Sequence, residues 1–194
     1  MKVLILRNIP SPISQIIEQT GDELLEWSDP IDELFIEQNR IEFAVSHGYR
    51  HIIKPIVLNR LNGRIINLHI SILPWNRGAD PNLWSFLDDT PKGVTIHFMD
   101  DGIDTGDIIV QKEVIFESMQ ETLATTYTKL QEEIIKLFRI HWPAIRDGRC
   151  SCQKQTHTGT FHRSSDKKKY KYLLANGWET PISLLVGKGK EFNA

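Results

Sequence analysis

Cysteine is nearly missing from this sequence: two residues in 194, Cys150 and Cys152, lie one position apart in a polar stretch with no second Cys/His pair at zinc-site spacing. That excludes a disulfide framework and a structural zinc module, and both side chains are read as free thiols. Long apolar runs are missing too. No window approaches the roughly 18 consecutive apolar residues of a membrane span. The opening Met1-Lys2-Val3-Leu4-Ile5-Leu6-Arg7 carries too short an apolar run for a secretory signal, so a cytoplasmic protein without membrane contact is expected. There is no Gly-x-Gly-x-x-Gly, no Gly-Lys-Ser/Thr and no Gly-x-Ser-x-Gly, which leaves dinucleotide cofactors, phosphate-loop NTPases and serine-elbow hydrolases without support. No internal repeat or low-complexity domain is found.

The chain also lacks a strong net charge, at −2, but the balance is uneven. Residues 149–194 hold nine Lys/Arg against three Asp/Glu, and residues 1–148 hold 14 against 22. A protein that grips long nucleic acid shows a broad basic face, so an acidic main body argues against a nucleic-acid partner. The cluster Lys167-Lys168-Lys169 with Lys171 suits a small anion or, more simply, a solvated charge run. With 40% hydrophobic and 25% charged residues, the length allows one sizeable core. A single domain over residues 1–194 is expected, with residues 149–194 as a polar, basic C-terminal extension.

Along the chain, residues 2–6 read as a strand, and the Pro10-Ser11-Pro12 punctuation leads to Ile13, Ile16 and Ile17 at helical spacing. Residues 23–27 form a second strand, Asp29-Pro30 starts a helix, and Ile31, Leu34 and Phe35 share a helical face. Residues 43–46 make a third strand ending in the loop His47-Gly48-Tyr49-Arg50. Strands alternating with helices over short connections indicate an α/β fold: a Rossmann-like, mostly parallel sheet with helices on both faces. Residues 64–70 look like a central strand, with Ile65, Asn67 and His69 on one face and Ile66, Leu68 and Ile70 on the other. Residues 94–98 and 107–111 are further strands joined by an Asp- and Gly-rich connector. One long helix opens on a Ser118/Glu121 capping box, repeats Leu123, Tyr127, Leu130, Ile134, Leu137 and Trp142, and closes at Pro143. Residues 182–186 read as a last strand.

Chemistry concentrates in one polar set: Asn67 and His69 on a strand face, and Asp100, Asp101, Asp104 and Asp107 around the later turn. Sheets of this class bind ligands at the carboxyl ends of their strands, where His69 falls. A lone strand-end His is often structural and an Asp/Gly connector is often only a turn. Asn67 is harder to explain that way, since burying an unpartnered amide costs roughly 1–3 kcal/mol. A divalent-metal site from His69, His97 and the aspartates has no motif spacing behind it, and no metal is expected.

Three segments carry a resemblance. Asn67-Leu68-His69-Ile70-Ser71-Ile72-Leu73-Pro74, Gly93-Val94-Thr95-Ile96-His97-Phe98-Met99-Asp100 and Gly102-Ile103-Asp104-Thr105-Gly106-Asp107-Ile108-Ile109 resemble the catalytic core of the folate-dependent formyltransferases, over about Ser46 to Val114. The segment from Trp75 to Trp84, with Gly159-Thr160-Phe161-His162-Arg163 and Asp166, is similar to the branch that formylates amino sugars on nucleotides. The resemblance implies Asn67, His69 and Asp104 as the catalytic set and 10-formyltetrahydrofolate as the co-substrate. It implies His47, Gly48, Tyr49, Arg50, Asp100 and Gly102 as folate contacts. Trp75, Asn76, Arg77 and Trp84 would meet an amino-sugar nucleotide such as dTDP-4-amino-4,6-dideoxyglucose, for bacterial surface polysaccharide. Packing is the rival role for either Trp. The methionyl-tRNA branch adds a C-terminal barrel, whereas about 45 residues follow the long helix here, so tRNA is not expected. A homodimer built on C-terminal residues is expected by analogy. A hydrolase of 10-formyltetrahydrofolate and a non-catalytic nucleotide-binding protein of the same fold remain the alternatives.

Overall fold

Val3, Leu4, Ile5 and Leu6 have no solvent exposure at all, the mark of a strand covered on both faces. They belong to β1 (Lys2–Arg7), followed in chain order by α1 (Ile13–Glu18), β2 (Glu23–Trp27), α2 (Glu33–Gln38), β3 (Phe43–His47), α3 (Pro55–Leu61) and β4 (Ile65–His69). Then come β5 (Arg77–Gly78), α4 (Pro81–Leu87), β6 (Gly93–Phe98), β7 (Ile108–Glu113), α5 (Leu123–Arg146) and β8 (Phe161–His162). The computed structural model describes residues 1–8, 12–116 and 120–190. Among them a six-stranded sheet runs β2-β1-β3-β4-β6-β7, and a two-stranded one pairs β5 with β8. The pairings β1 with β2, β1 with β3 and β3 with β4 are parallel, as the short strand–helix alternation predicts.

The chain divides into two compact units, Met1–His69, Ile96–Val110 and Ile134–Gln155 in one, and Ile70–Thr95, Gln111–Glu133 and Thr156–Ala194 in the other. In the first, register decides the layers. Leu4 pairs with Ala44 and Ala44 with Ile65, so these side chains share a face. They pack with Ile36 of α2 and Val57, Leu58 and Leu61 of α3. Val3 pairs with Phe43, whose ring points to the opposite face and meets Trp142 of α5 edge-on, with centroids 5.3 Å apart. Helices therefore cover both faces of this part of the sheet. In the second unit, Leu83, Trp84, Phe86 and Leu87 of α4 pack with Leu123, Tyr170, Ile182 and Leu185.

Several local expectations are corrected. The helix expected at Asp29-Pro30 starts at Glu33: Asp32 is the cap, its carboxylate accepting the Phe35 amide at 2.8 Å, and Leu34 faces solvent while Ile36 is buried. Pro143 does not end α5, which runs on to Arg146. The ring frees only the carbonyl of Arg139, an exposed residue that water can serve, and burial of Trp142 and Ile145 holds the last turn in place. The terminal strand expected at residues 182–186 is a 3₁₀ turn over Ile182–Leu184. Its buried positions, Ile182 and Leu185, are three apart, a helical rather than an extended period. Pro10, Ser11 and Ser118, and with Ser118 the capping box, lie outside the described residues. Cys150 is half-buried, Cys152 is exposed, and both are free thiols.

Candidate active site

In β4 the period-two alternation sends Asn67 and His69 to one face, at the carboxyl end of a strand whose neighbour β3 pairs Ser46 directly with Asn67. His97 comes from β6, and Asp104 from the connector between β6 and β7. The four side chains converge in the first unit. Asn67 Nδ2 donates to Asp104 Oδ1 at 3.1 Å and lies 3.4 Å from His97 Nε2. Asp104 Oδ2 sits 3.7 Å from His69 Nδ1, and Oδ1 sits 3.5 Å from His97 Nε2. His69 is 6% and His97 1% exposed, so water competes little for these groups.

The tautomer of His97 follows from its surroundings. Its Nδ1 is 2.7 Å from the Phe98 carbonyl, an acceptor only, so Nδ1 carries the proton. In the neutral ring Nε2 is then a lone pair, which suits the Asn67 amide hydrogen facing it. Both hydrogens of the Asn67 amide are thereby directed to Asp104 and His97, an arrangement the sequence did not suggest. From the sequence, His97 stands out only as a conceivable metal ligand. Its signal was present: Thr95 and His97 alternate onto one face of a strand next to the Asp-rich connector.

The connector is built to hold a carboxylate. Asp104 adopts φ +54°, the left-handed region that L side chains rarely occupy. Asp100 Oδ1 accepts from the Gly102 amide at 3.1 Å and from Thr105 Oγ1 at 2.6 Å. At Gly106 a Cβ would come within 2.0 Å of the Phe98 carbonyl oxygen, so only glycine fits that close approach. Of the expected folate contacts here, Asp100 spends one oxygen on the turn, and both Asp100 and Gly102 are exposed.

At the β3 end, His47 is 1% exposed and pairs in register with Arg7, and Gly48 turns the chain at φ +67°. Tyr49 donates its hydroxyl to the Asp29 carbonyl at 2.7 Å. Burial pushes its phenol above the ordinary value, so it stays a donor. The Arg50 amide donates to Asn8 Oδ1 at 3.0 Å, and the residue is exposed.

The segment expected to meet the acceptor lies in the second unit. Trp75 is half-buried. Asn76 is fully buried, with Nδ2 donating to Thr90 Oγ1 at 2.8 Å and Oδ1 accepting from Thr160 Oγ1 at 3.3 Å. Trp84 is 2% exposed and stacks on His162 with centroids 3.8 Å apart and planes 4° from parallel. Both therefore serve as internal fastenings, which is the packing role weighed for Trp84. Arg77 is partly exposed, donates from Nη2 to the Thr158 carbonyl at 2.7 Å, and keeps its buried Nε without a hydrogen-bond partner. Lys167 pairs with Asp80 at 2.8 Å, while Lys168 and Lys171 are exposed. Among the described residues no group of three or more His, Cys, Asp or Glu could hold a metal ion. None of their helices is long and apolar enough to cross a membrane.

The arrangement of amide, two imidazoles and one carboxylate can donate to a developing oxyanion and accept a proton, the requirements of acyl transfer. Known proteins resemble the chain in fold and sequence. The crystal structure of the formyltransferase PseJ from Anoxybacillus kamchatkensis, in complex with UDP-4,6-dideoxy-4-formamido-L-AltNAc and tetrahydrofolate, matches with TM-score 0.93 and 48% identity, over 97% of this chain and 100% of that one. The dTDP-4-amino-4,6-dideoxyglucose formyltransferase of Mycobacterium tuberculosis is 34% identical over 113 residues, 58% of this chain and 48% of the relative. A methionyl-tRNA formyltransferase of Syntrophomonas wolfei is 38% identical over 109 residues, 54% of this chain and 35% of the relative. These matches span about half or less of the length of the curated relatives. Residues 16–139 match the family described as Formyl transferase, well over half of the chain, and the chain belongs to that family.

Proposed function

We propose that the chain is an N-formyltransferase that moves the formyl group of 10-formyltetrahydrofolate to the 4-amine of a 4-amino-4,6-dideoxy sugar on a nucleoside diphosphate. One observation carries this reading. Asn67, His69 and Asp104 gather at the carboxyl edge of the sheet in a chain that matches, end to end, a formyltransferase crystallised with a UDP-linked 4-formamido sugar and tetrahydrofolate. A uridine nucleotide is the first choice, and the thymidine-linked sugar of the mycobacterial relative is the second.

In this reading the amine attacks the formyl carbon, the carbonyl electron pair moves to oxygen, and collapse expels the folate nitrogen, which takes up the proton the amine has lost, leaving a formamide and tetrahydrofolate. Asn67, turning to the substrate the amide hydrogen that rests against His97 Nε2, and a protonated His69 hold the oxygen, and Asp104 takes the amine's proton directly or through water. The loop from His47 to Arg50 and the turn at Asp100 to Gly102 line the folate. Trp75 and Arg77 face the nucleotide sugar, with Asn76 and Trp84 keeping their segment in shape. The product is an activated glycosyl donor suited to bacterial surface polysaccharide, made in the cytoplasm by a single domain over residues 1–194.

The test is incubation with 10-formyltetrahydrofolate and a panel of UDP- and dTDP-linked amino sugars, following folate absorbance and product mass. Formate released with no acceptor present would identify a hydrolase instead. No turnover on any panel member would sink the enzyme reading.

Two further outcomes are expected. Arg77→Ala should weaken the amino-sugar nucleotide by roughly 1.5–3 kcal/mol, the range for a charge-assisted contact, while leaving folate binding nearly unchanged. Lys168→Ala should do little, as a solvated residue. Equal losses for both ligands in a titration of Arg77→Ala would point to its Thr158 bond as the whole of its role. A homodimer is expected through C-terminal residues, where Tyr172, Trp178 and Leu184 are 60%, 54% and 52% exposed. Sedimentation showing only monomer at micromolar concentration would overturn it.

A further inference from the structure

We infer that Gln155 is a positioning residue for Asp104, acting on the formyl-transfer step through the backbone of the connector; the inference rests on the function proposed above. Gln155 Nε2 donates to the carbonyl of Asp104 and to the carbonyl of Gly106, each at 2.9 Å. The orientation of the amide is not ambiguous. Exchanging its two ends would set Oε1 against two carbonyl oxygens and remove both bonds.

These bonds add to those that Asp100 makes to Gly102 and Thr105 within the turn, and they fall on its left-handed part. Asp104 sits at φ +54°, and its own carbonyl is one of the two that Gln155 engages. The other belongs to Gly106, whose close approach to Phe98 closes the turn. Gln155 is brought to this place by a reciprocal pair of backbone bonds two residues earlier, Ile108 amide to Gln153 carbonyl at 2.8 Å and Gln153 amide to Ile108 carbonyl at 2.9 Å. The segment after α5 is thereby fastened to the first residue of β7 and reaches back over the connector.

The side chain has the chemistry of a clamp rather than of a filler. Its Oε1 is buried and accepts no hydrogen bond, an unfavourable condition that an apolar side chain of the same size would avoid. An amide is retained there for its two donors. Its target matters because the Asp104 carboxylate accepts from Asn67 at 3.1 Å and meets His69 at 3.7 Å, where a small rotation of the turn decides whether those contacts tighten or are lost. A misplacement of about 1 Å at a reacting group can cost on the order of 10²-fold in rate.

The test uses Gln155→Met, which keeps the length and removes both donors, with wild type and Gln155→Glu beside it. For Gln155→Met, kcat should fall roughly 10–100-fold while KM for 10-formyltetrahydrofolate and for the amino-sugar nucleotide stay within about twofold. Gln155→Glu should lose at least as much, since its carboxylate faces two carbonyl oxygens. In an Asp104→Ala background, Gln155→Met should change the residual single-turnover rate by less than about twofold, because two residues acting as one unit are not additive. Hydrogen exchange of the peptide covering residues 100–106 should be faster in Gln155→Met. If that variant does not fold, Gln155→Asn, shorter but still an amide, should show the same pattern with a smaller loss. A folded variant with kcat within twofold of wild type, a loss confined to KM, or additivity with Asp104→Ala would overturn the inference. Failure of the wild-type chain to formylate any nucleotide sugar would instead overturn the proposed function, and unchanged exchange at residues 100–106 would still refute the clamp on its own.

Discussion

Asp104→Ala should lower kcat for formyl transfer at least as far as Asn67→Ala, which is expected to cost about 10²–10³-fold through loss of one preorganised donor. The geometry gives the reason. A single carboxylate accepts from the Asn67 amide at 3.1 Å and faces His69 Nδ1 at 3.7 Å, so its removal releases both side chains together. His69→Ala should be comparable, since it takes away the imidazole that would donate to the carbonyl oxygen. The three losses should be far from additive, with a double variant little worse than the worst single one. Steady-state kinetics on well-folded variants, with circular dichroism as the check on fold, would show this. Near-full activity in Asp104→Ala would remove the carboxylate from the mechanism. His97→Ala should fall between these and wild type, because its Nδ1 bond to the Phe98 carbonyl makes it a support for Asn67 and Asp104.

How far the site could be read in advance depended on the kind of signal. Asn67 and His69 were legible because strand alternation is a fixed period and two polar groups on one face of an apolar strand break it. Asp104 was legible through the resemblance, while its turn announced itself by Asp and Gly alone. His97 was legible only as a polar residue sharing a strand face with Thr95 beside the Asp-rich connector, and its place against Asn67 was not. Gln155 carries no sequence signal at all. Its role exists only through a contact made about fifty positions along the chain from Asp104 and Gly106.

The fold divides in the same way. The buried strands β1, β3 and β4 follow from continuous apolar runs, and their parallel order from the strand–helix alternation. Two seven-residue helices, α3 and α4, were not anticipated, though Pro55 and Pro81 at their first turns are the usual mark of a helix start. The pair β5 and β8 has two residues in each strand, too few for any period, and joins segments as far apart as Asn76 and Thr160. In the extension after residue 148, expected as polar and basic, Tyr170, Ile182 and Leu185 enter the core of the second unit. Composition averaged over a polar stretch hides three apolar anchors.

Asp22→Ala should destabilise the chain by about 3 kcal/mol, with Asp22→Asn losing less at neutral pH. The Asp22 side chain has no solvent exposure. It accepts from Arg146 Nε at 2.6 Å and Nη2 at 2.8 Å, from Thr20 Oγ1 at 2.8 Å and from the Met1 ammonium at 2.9 Å. Removing the carboxylate leaves the Met1 ammonium without its partner and strips Nε and Nη2 of Arg146, whose Nη1 keeps Asp147 at 2.9 Å; stripping one partner costs about 3–5 kcal/mol at fully buried pairs. The lower end applies here because the Arg146 side chain keeps 30% of its exposure and can rehydrate. Burial by itself pushes the Asp22 carboxyl up, but the bonds from Arg146, the N-terminal ammonium and Thr20 outweigh it and hold the group well below the usual carboxylate range. A carboxyl depressed in the folded state stabilises the protein above its unfolded value of about 4, and that stabilisation is lost as pH falls toward the folded value. Urea unfolding from pH 7 downward should therefore show wild type losing stability steeply below about pH 4. Asp22→Asn, with nothing to protonate there, should give a flatter curve. Parallel curves for the two proteins would show that this ion pair contributes nothing to acid stability.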